Sequence, residues 1–329
     1  MAAAGSLATL AQLERAAELV HAVVPSTPQY AWPKLARHAG CEVWVKHENH
    51  TPTGAFKVRG GLVYFDRLRH AQPDVPGVVT ATRGNHGQSI SFAAARAGIP
   101  ATIYVPHGNS PDQNSAMSGF GATVVEFGKD FDEARHEAHR VATQRGLHFV
   151  PSFHRDLVMG VATYALEFLR AVAGLDTVYV GVGMGSGICG LILARDLLGL
   201  GTEIVGVSAA NAPATARSFA AGHPVSTPTA FTFADGMATR EPNAEAIAMI
   251  CRGAARVVEV SEDEIAAAVR LYFDAAHQIA EGAGAASLAA LMQERTRQAG
   301  RRVGVILSGG NIERARFQML LGGVTPLVK

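Results

Sequence analysis

The chain has 329 residues, enough for two domains and a large buried core, and with 48% hydrophobic against 17% charged residues it is too apolar for a disordered segment. Its 29 basic and 28 acidic side chains nearly cancel, so the electrostatic footprint of a nucleic-acid or anionic-membrane partner is missing. Cys41, Cys189 and Cys251 lie far apart, with no Cys-x-x-Cys, which excludes a disulfide framework and a zinc knuckle and points to a reducing cytoplasm.

At the N-terminus the first basic residue, Arg15, comes after the apolar Leu7 and Leu10, the reverse of a signal peptide. Short β-branched runs then recur at 43–47, 77–82, 101–105, 123–127, 177–182, 203–207, 256–260 and 303–308. Between them lie longer, alanine-rich stretches of helical period, at 88–97, 131–145, 161–173, 188–198, 262–279 and 285–298. Asp132, Glu133, Glu262 and Asp263 stand near predicted helix starts, where a negative charge favours the helix dipole. Strands alternating with helices predict an α/β fold of two interleaved, open, mostly parallel sheet lobes with helices on both faces. Residues 177–194 carry no charge over 18 positions, but Gly181, Gly183, Gly185, Gly187 and Gly190 fall within them. A buried strand, a glycine turn and a helix start explain that run better than a membrane span, which requires continuous helix.

Four glycine-bearing segments follow predicted strands. In the first, Thr53-Gly54-Ala55-Phe56-Lys57, the lysine is either a surface side chain with a snorkelled stem or a reactive amine. The second, Thr82-Arg83-Gly84-Asn85-His86-Gly87-Gln88, opens a helix whose free N–H groups suit a carboxylate or phosphate. Its alternative is an ordinary loop capped by Asn85. The third, Gly183-Met184-Gly185-Ser186-Gly187, is a phosphate cradle for either a dinucleotide or a smaller phosphorylated cofactor. A dinucleotide site calls for an acidic residue at the end of the next strand, where this chain has Ser208; Glu203 lies at that strand's start, which argues against NAD. The fourth, Leu307-Ser308-Gly309-Gly310-Asn311, is a glycine turn or a site hydroxyl. All four lie at the carboxyl ends of parallel strands, where open α/β sheets bind ligands.

Together and in this order, the four motifs resemble those of the fold-type II pyridoxal-phosphate enzymes, in particular the serine/threonine dehydratase and serine racemase-like family, whose fold is like that of the tryptophan synthase β chain. The resemblance runs from about residue 27 to residue 311. It implies that pyridoxal 5'-phosphate is the cofactor and that Lys57 forms the Schiff base, its freed amine later taking the Cα proton. Asn85 would stand beside the cofactor's phenolic oxygen, Gly183, Met184, Gly185, Ser186 and Gly187 would hold its phosphate, and Ser308 would face its pyridine nitrogen. Thr82, Arg83, Gly84, Asn85 and His86 would grip the substrate carboxylate. Asp235-Gly236 and Glu281-Gly282-Ala283 match segments lining the same site and are given supporting roles. A neutral Ser308 hydroxyl cannot stabilise a pyridinium as an aspartate does, which favours prompt loss of a β-leaving group.

The family further implies a large cofactor-binding domain of residues 1–75 and 151–329, a small mobile domain of residues 76–150 carrying the carboxylate loop, and a homodimer. The expected activity is a lyase that turns a 2-amino-3-hydroxy acid (threonine, serine or a 3-substituted serine) into a 2-keto acid and ammonia. A racemase of the same fold is the alternative; an NAD-dependent oxidoreductase and a non-catalytic cofactor carrier rank below it. Three departures from the family pattern narrow the choice. Ser208 replaces the carboxylate that holds a divalent cation in many relatives, and 209–216 has no Asp or Glu, so no metal is expected. Arg83 replaces the small residue, often serine, that acts as second base in racemases; it either reads an anionic group on the substrate or turns outward to an acidic neighbour. The sequence ends at Lys329, which leaves no room for a C-terminal regulatory domain, so control by isoleucine is not expected. The pairs His47/His50 and His136/His139 lack the partners of a metal site, and Cys189 reads as a small core residue.

Overall fold

The structure is a computed structural model that describes residues 8–327; Leu7 and Lys329, on which the leader and C-terminal expectations draw, lie outside the described residues. In chain order the elements are α1 (Leu10–His21), β1 (Gln29–Ala31), α2 (Pro33–Ala39), β2 (Glu42–His47), α3 (Lys57–Ala71), β3 (Val78–Ala81), α4 (Asn85–Ala97), β4 (Ala101–Val105), α5 (Pro111–Gly119), β5 (Thr123–Glu126), α6 (Phe131–Arg145) and β6 (His148–Phe149). They continue with α7 (Arg155–Ala171), β7 (Thr177–Gly181), α8 (Ser186–Leu197), β8 (Glu203–Ala209), α9 (Ala214–Ala221), α10 (Ala244–Gly253), β9 (Arg256–Val260), α11 (Glu262–Ala276), α12 (Gly282–Gln293), β10 (Arg302–Leu307) and α13 (Arg314–Leu321).

The strands form two open sheets, of order β1-β2-β10-β7-β8-β9 and β5-β4-β3-β6. β1 runs antiparallel to β2, and every other pairing is parallel. The expected α/β class therefore holds. The central strands β7 and β10 are apolar along nearly their whole length, because a parallel strand covered by helices on both faces has no solvent side. Val303 of β10 is level with both Val43 and Thr177, so β2, β10 and β7 end together and deliver their following loops to one edge.

Helix boundaries follow local capping. α7 begins at Arg155, ahead of the predicted 161, because the His154 ring accepts a hydrogen bond from the Asp156 N–H (3.2 Å). α11 stops at Ala276, short of the predicted 279, where His277 adopts a left-handed conformation (φ 51°) and closes the helix. The helix α3 was not predicted; its Gly60-Gly61 pair lowers helix propensity, and the reason for that pair is packing. A Cβ on Gly60 would lie 2.8 Å from the Leu157 carbonyl, and one on Gly160 would lie 2.1 Å from that of Arg59, so the α3/α7 crossing is too close for side chains. α3 begins with Lys57.

Candidate active site

The loop before α3 is held from both sides. The Thr51 hydroxyl accepts from the Ala55 N–H (3.0 Å) and donates to the Ala55 carbonyl (2.8 Å). The Phe56 N–H donates to the Ser308 carbonyl (3.1 Å), and the Gly310 N–H donates to the Gly54 carbonyl (2.9 Å). Ala55 and Gly309 form a β-bridge, so the Lys57 loop and the Ser308 turn are in effect one unit. Lys57 itself sits in the wall of a cleft of about 620 Å³ and donates from Nζ to the Ser186 hydroxyl (2.9 Å). That position rules out the surface-lysine alternative. Desolvation pulls the Lys57 amine down to about 8 against the opposing pull of Glu281.

Ser186 is the first residue of α8, and the glycine turn before it is shaped for close approach. Gly185 adopts φ 101°, and a Cβ on Gly183 would lie 2.1 Å from the Gly236 carbonyl. The N–H groups of Gly183, Met184 and Gly185 donate to no acceptor among the described residues. With the free first-turn donors of α8 they form an anion nest.

In the second loop the capped-loop alternative does not hold. Gly84, not Asn85, is the N-cap residue of α4, and no side chain caps that helix. Asn85 instead donates from Nδ2 to Glu281 Oε1 (2.7 Å) and accepts at Oδ1 from Asn311 Nδ2 (2.8 Å). Thr82 shapes the loop, its hydroxyl accepting from the N–H groups of Gly84 (3.0 Å) and Gly87 (3.2 Å). His86 Nε2 lies 3.2 Å from Thr80 Oγ1, whose proton is given to the Val150 carbonyl (2.7 Å), so the ring donates to Thr80. Desolvation and then Lys57 push His86 down to about 3, which keeps the imidazole neutral.

Arg83 lines the cleft with its side chain 45% exposed, 3.6 Å from Asp235 Oδ1. Of its two expected roles, pairing with an acidic neighbour is realised, but that neighbour is itself a cleft residue. Glu281, given only a supporting role from the sequence, is central: it bonds Asn85, and desolvation raises its carboxyl to about 8. Asn311 also donates to the Thr53 carbonyl (2.7 Å), joining the first, second and fourth loops, and Gln113 of α5 reaches both Gln88 (2.6 Å) and the Asn311 carbonyl (3.3 Å). No glycine or strand-end signal marks Gln113. Ser308 is buried at the end of β10. Ser208 is buried as well, its hydroxyl without a hydrogen-bond partner among the described residues. No group of three or more His, Cys, Asp or Glu side chains among the described residues is placed to hold a metal. No described helix is long and apolar enough to cross a membrane.

Residues 21–309 match the family model described as pyridoxal-phosphate dependent enzyme. The chain is 36% identical to an L-threonine ammonia-lyase of Geobacter sulfurreducens over 83% of this chain and 68% of that one. It is 32% identical to an L-threo-3-hydroxyaspartate ammonia-lyase of a Pseudomonas species over 94% of this chain and 97% of that one. Among solved structures, a pyridoxal 5'-phosphate-dependent aspartate racemase superimposes with a TM-score of 0.89 at 27% identity, over 95% of this chain and 98% of that one.

Proposed function

The chain belongs to the family of pyridoxal-phosphate dependent enzymes, and from that premise we propose that it is a lyase converting a 2-amino-3-hydroxy acid (threonine, serine or a 3-substituted serine) to a 2-keto acid and ammonia by β-elimination. The observation that carries this reading is the Lys57 amine, 2.9 Å from Ser186 at the head of the anion nest and tied through Phe56 to Ser308. A small phosphorylated aldehyde needs an amine, a phosphate nest and a partner for its ring nitrogen, and these three groups supply them. The unbonded N–H groups of the glycine turn and the steric bar to any Cβ at Gly183 fit a phosphate at that point.

Lys57 is the residue that would hold the cofactor covalently, the turn 183–187 its phosphate, and Ser308 its ring nitrogen, with Asn85 beside the ring. When bound, pyridoxal phosphate supplies an electron sink that acidifies the substrate Cα–H. An amine brought down to about 8 exchanges a proton near neutral pH, which suits Lys57 to accept the Cα proton. Ser186 accepts from its ammonium form and orients it. The N–H groups of Asn85 and His86 at the start of α4 are suited to the substrate carboxylate, and a neutral His86 adds no competing charge. The neutral Ser308 hydroxyl favours early expulsion of the β-hydroxyl over a long-lived carbanion.

The aspartate racemase likeness keeps a racemase as the second reading, and it is disfavoured by Arg83, whose guanidinium stays protonated and cannot be a second base. Family membership sets aside the nicotinamide reading. We further read residues 1–75 with 151–329 as a large cofactor-binding domain and 76–150 as a small, mobile one. The two separate sheets support that division. A homodimer is supported by the exposed apolar side chains Tyr30, Phe273, Ile279 and Met319, and a cytoplasmic setting by the free cysteines. The test is 2-keto acid release from serine, threonine, phenylserine and 3-hydroxyaspartate by the holoenzyme. Release from at least one is expected, and release from none overturns the assignment.

A further inference from the structure

Four arginines line the cleft, and they differ in how fully they are engaged. Arg240 pairs with Asp132 through both Nε (3.0 Å) and Nη2. Arg135 is shared between Asp132 (3.1 Å) and Glu241 (2.9 Å). Arg316 donates to Asp235 Oδ2 (2.7 Å) and to the Phe233 carbonyl (3.3 Å). Arg83 has one long ion pair, 3.6 Å to Asp235 Oδ1, and that carboxylate is already served by Arg316. Arg83 therefore gives up little by turning away from Asp235. It also sits one residue before Gly84, on the same loop as Asn85 and His86, so a substrate whose α-carboxylate meets the start of α4 brings its Cβ substituent within this loop's reach.

We propose that Arg83 is the specificity-determining residue for the substituent on Cβ and that the preferred substrate class is a 2-amino-3-hydroxy dicarboxylate. The proposal rests on the lyase reading and deepens it. A guanidinium grips a carboxylate through two parallel N–H bonds, which the long single pair to Asp235 does not offer. The methyl of threonine and the hydrogen of serine present nothing for those donors. An alternative role for Arg83, holding the α-carboxylate, predicts an equal effect on every amino-acid substrate.

The experiment compares kcat/KM of the holoenzyme for 3-hydroxyaspartate, threonine and serine in the native protein and in Arg83→Ala and Arg83→Lys. The native protein should favour 3-hydroxyaspartate. Arg83→Ala should lower its kcat/KM by about 30- to 100-fold, the worth of a charge-assisted pair, while threonine and serine change by less than about 3-fold. Arg83→Lys, which keeps charge without the fork, should fall between. A readout independent of turnover is succinate binding, followed by the cofactor's absorbance; its Kd should rise at least about 10-fold in Arg83→Ala. Equal losses on all three substrates, or succinate binding unaffected by the substitution, overturn the proposal while leaving the lyase reading intact. Absence of keto acid from every substrate with the native protein defeats the lyase reading instead.

Discussion

Glu167→Gln should destabilise the protein by about 3–5 kcal/mol, because it leaves a buried cation without its counter-charge. Glu167 of α7 is 6% exposed and receives hydrogen bonds from Lys46 Nζ (2.6 Å), Arg59 Nη1 (2.6 Å) and Arg59 Nη2 (3.1 Å). Lys46 and Arg59 are fully buried, and with Glu48 and Glu167 they make a buried set of two cations and two anions two residues from Lys57 on α3, with the more exposed His21 ring at its edge, 2.7 Å from Glu167 Oε1. Burial alone would raise the Glu167 carboxyl, but Arg59 and Lys46 hold it at about 2. Relative to the ordinary 4.5, that corresponds to about 3 kcal/mol of stability. Because the folded value is depressed, this contribution is complete above pH 4.5 and disappears as pH falls towards 2. In Glu167→Gln, Arg59 keeps its two-point pair with Glu48 (2.7 and 3.0 Å), and Lys46, already pulled down by burial, carries the excess charge. Replacing Lys46 by Met together with Glu167→Leu should recover at least half of the loss, since an apolar pair of similar volume escapes the desolvation cost. Urea unfolding can be followed by tryptophan fluorescence, because Trp44 lies in β2, the strand that carries Lys46, and Trp32 contacts its last residue, His47. A loss below 1 kcal/mol for Glu167→Gln, or a double variant no more stable than the single one, refutes the reasoning.

Gly185→Ala forces a side chain into a φ of 101° and places Cβ 2.8 Å from that of Ala246; cofactor Kd by absorbance should rise about 10-fold or more, with threonine KM at saturating cofactor nearly unchanged. With a serine at position 208, chelation with EDTA should leave turnover within about 2-fold, and a large loss restored by magnesium would reveal a carboxylate site elsewhere. Chiral chromatography of L-serine reactions should find no D-serine beside pyruvate, because Arg83 cannot act as a base; racemisation at a rate near that of elimination would contradict this.

The parallel α/β architecture was legible because strands such as 177–182 and 303–308 are buried on both faces and so read as continuous apolar runs. The four site loops were legible for a related reason: glycine is required where backbone approaches backbone or a ligand, and Gly183 and Gly185 meet that requirement. What the sequence hid depends on tertiary packing. Gly60 and Gly61 weaken the helical signal of α3 while permitting its contacts with α7 and α4 respectively. Asn85 has the chemistry of a cap, and only the approach of Glu281 and Asn311 from more than 190 residues away diverts its side chain. The commitment that leaves Arg83 loosely paired, that of Asp235 to Arg316, likewise joins segments distant in sequence.

The most direct test of the whole account is borohydride reduction of the yellow holoenzyme followed by peptide mapping, with Lys57→Ala as the control. The reduced cofactor should be found on Lys57, the one cleft amine hydrogen-bonded to Ser186 among the described residues, and Lys57→Ala should release no 2-keto acid while still binding cofactor weakly through the 183–187 turn. A label on any other lysine, or keto acid release by Lys57→Ala at a rate near the native one, contradicts it.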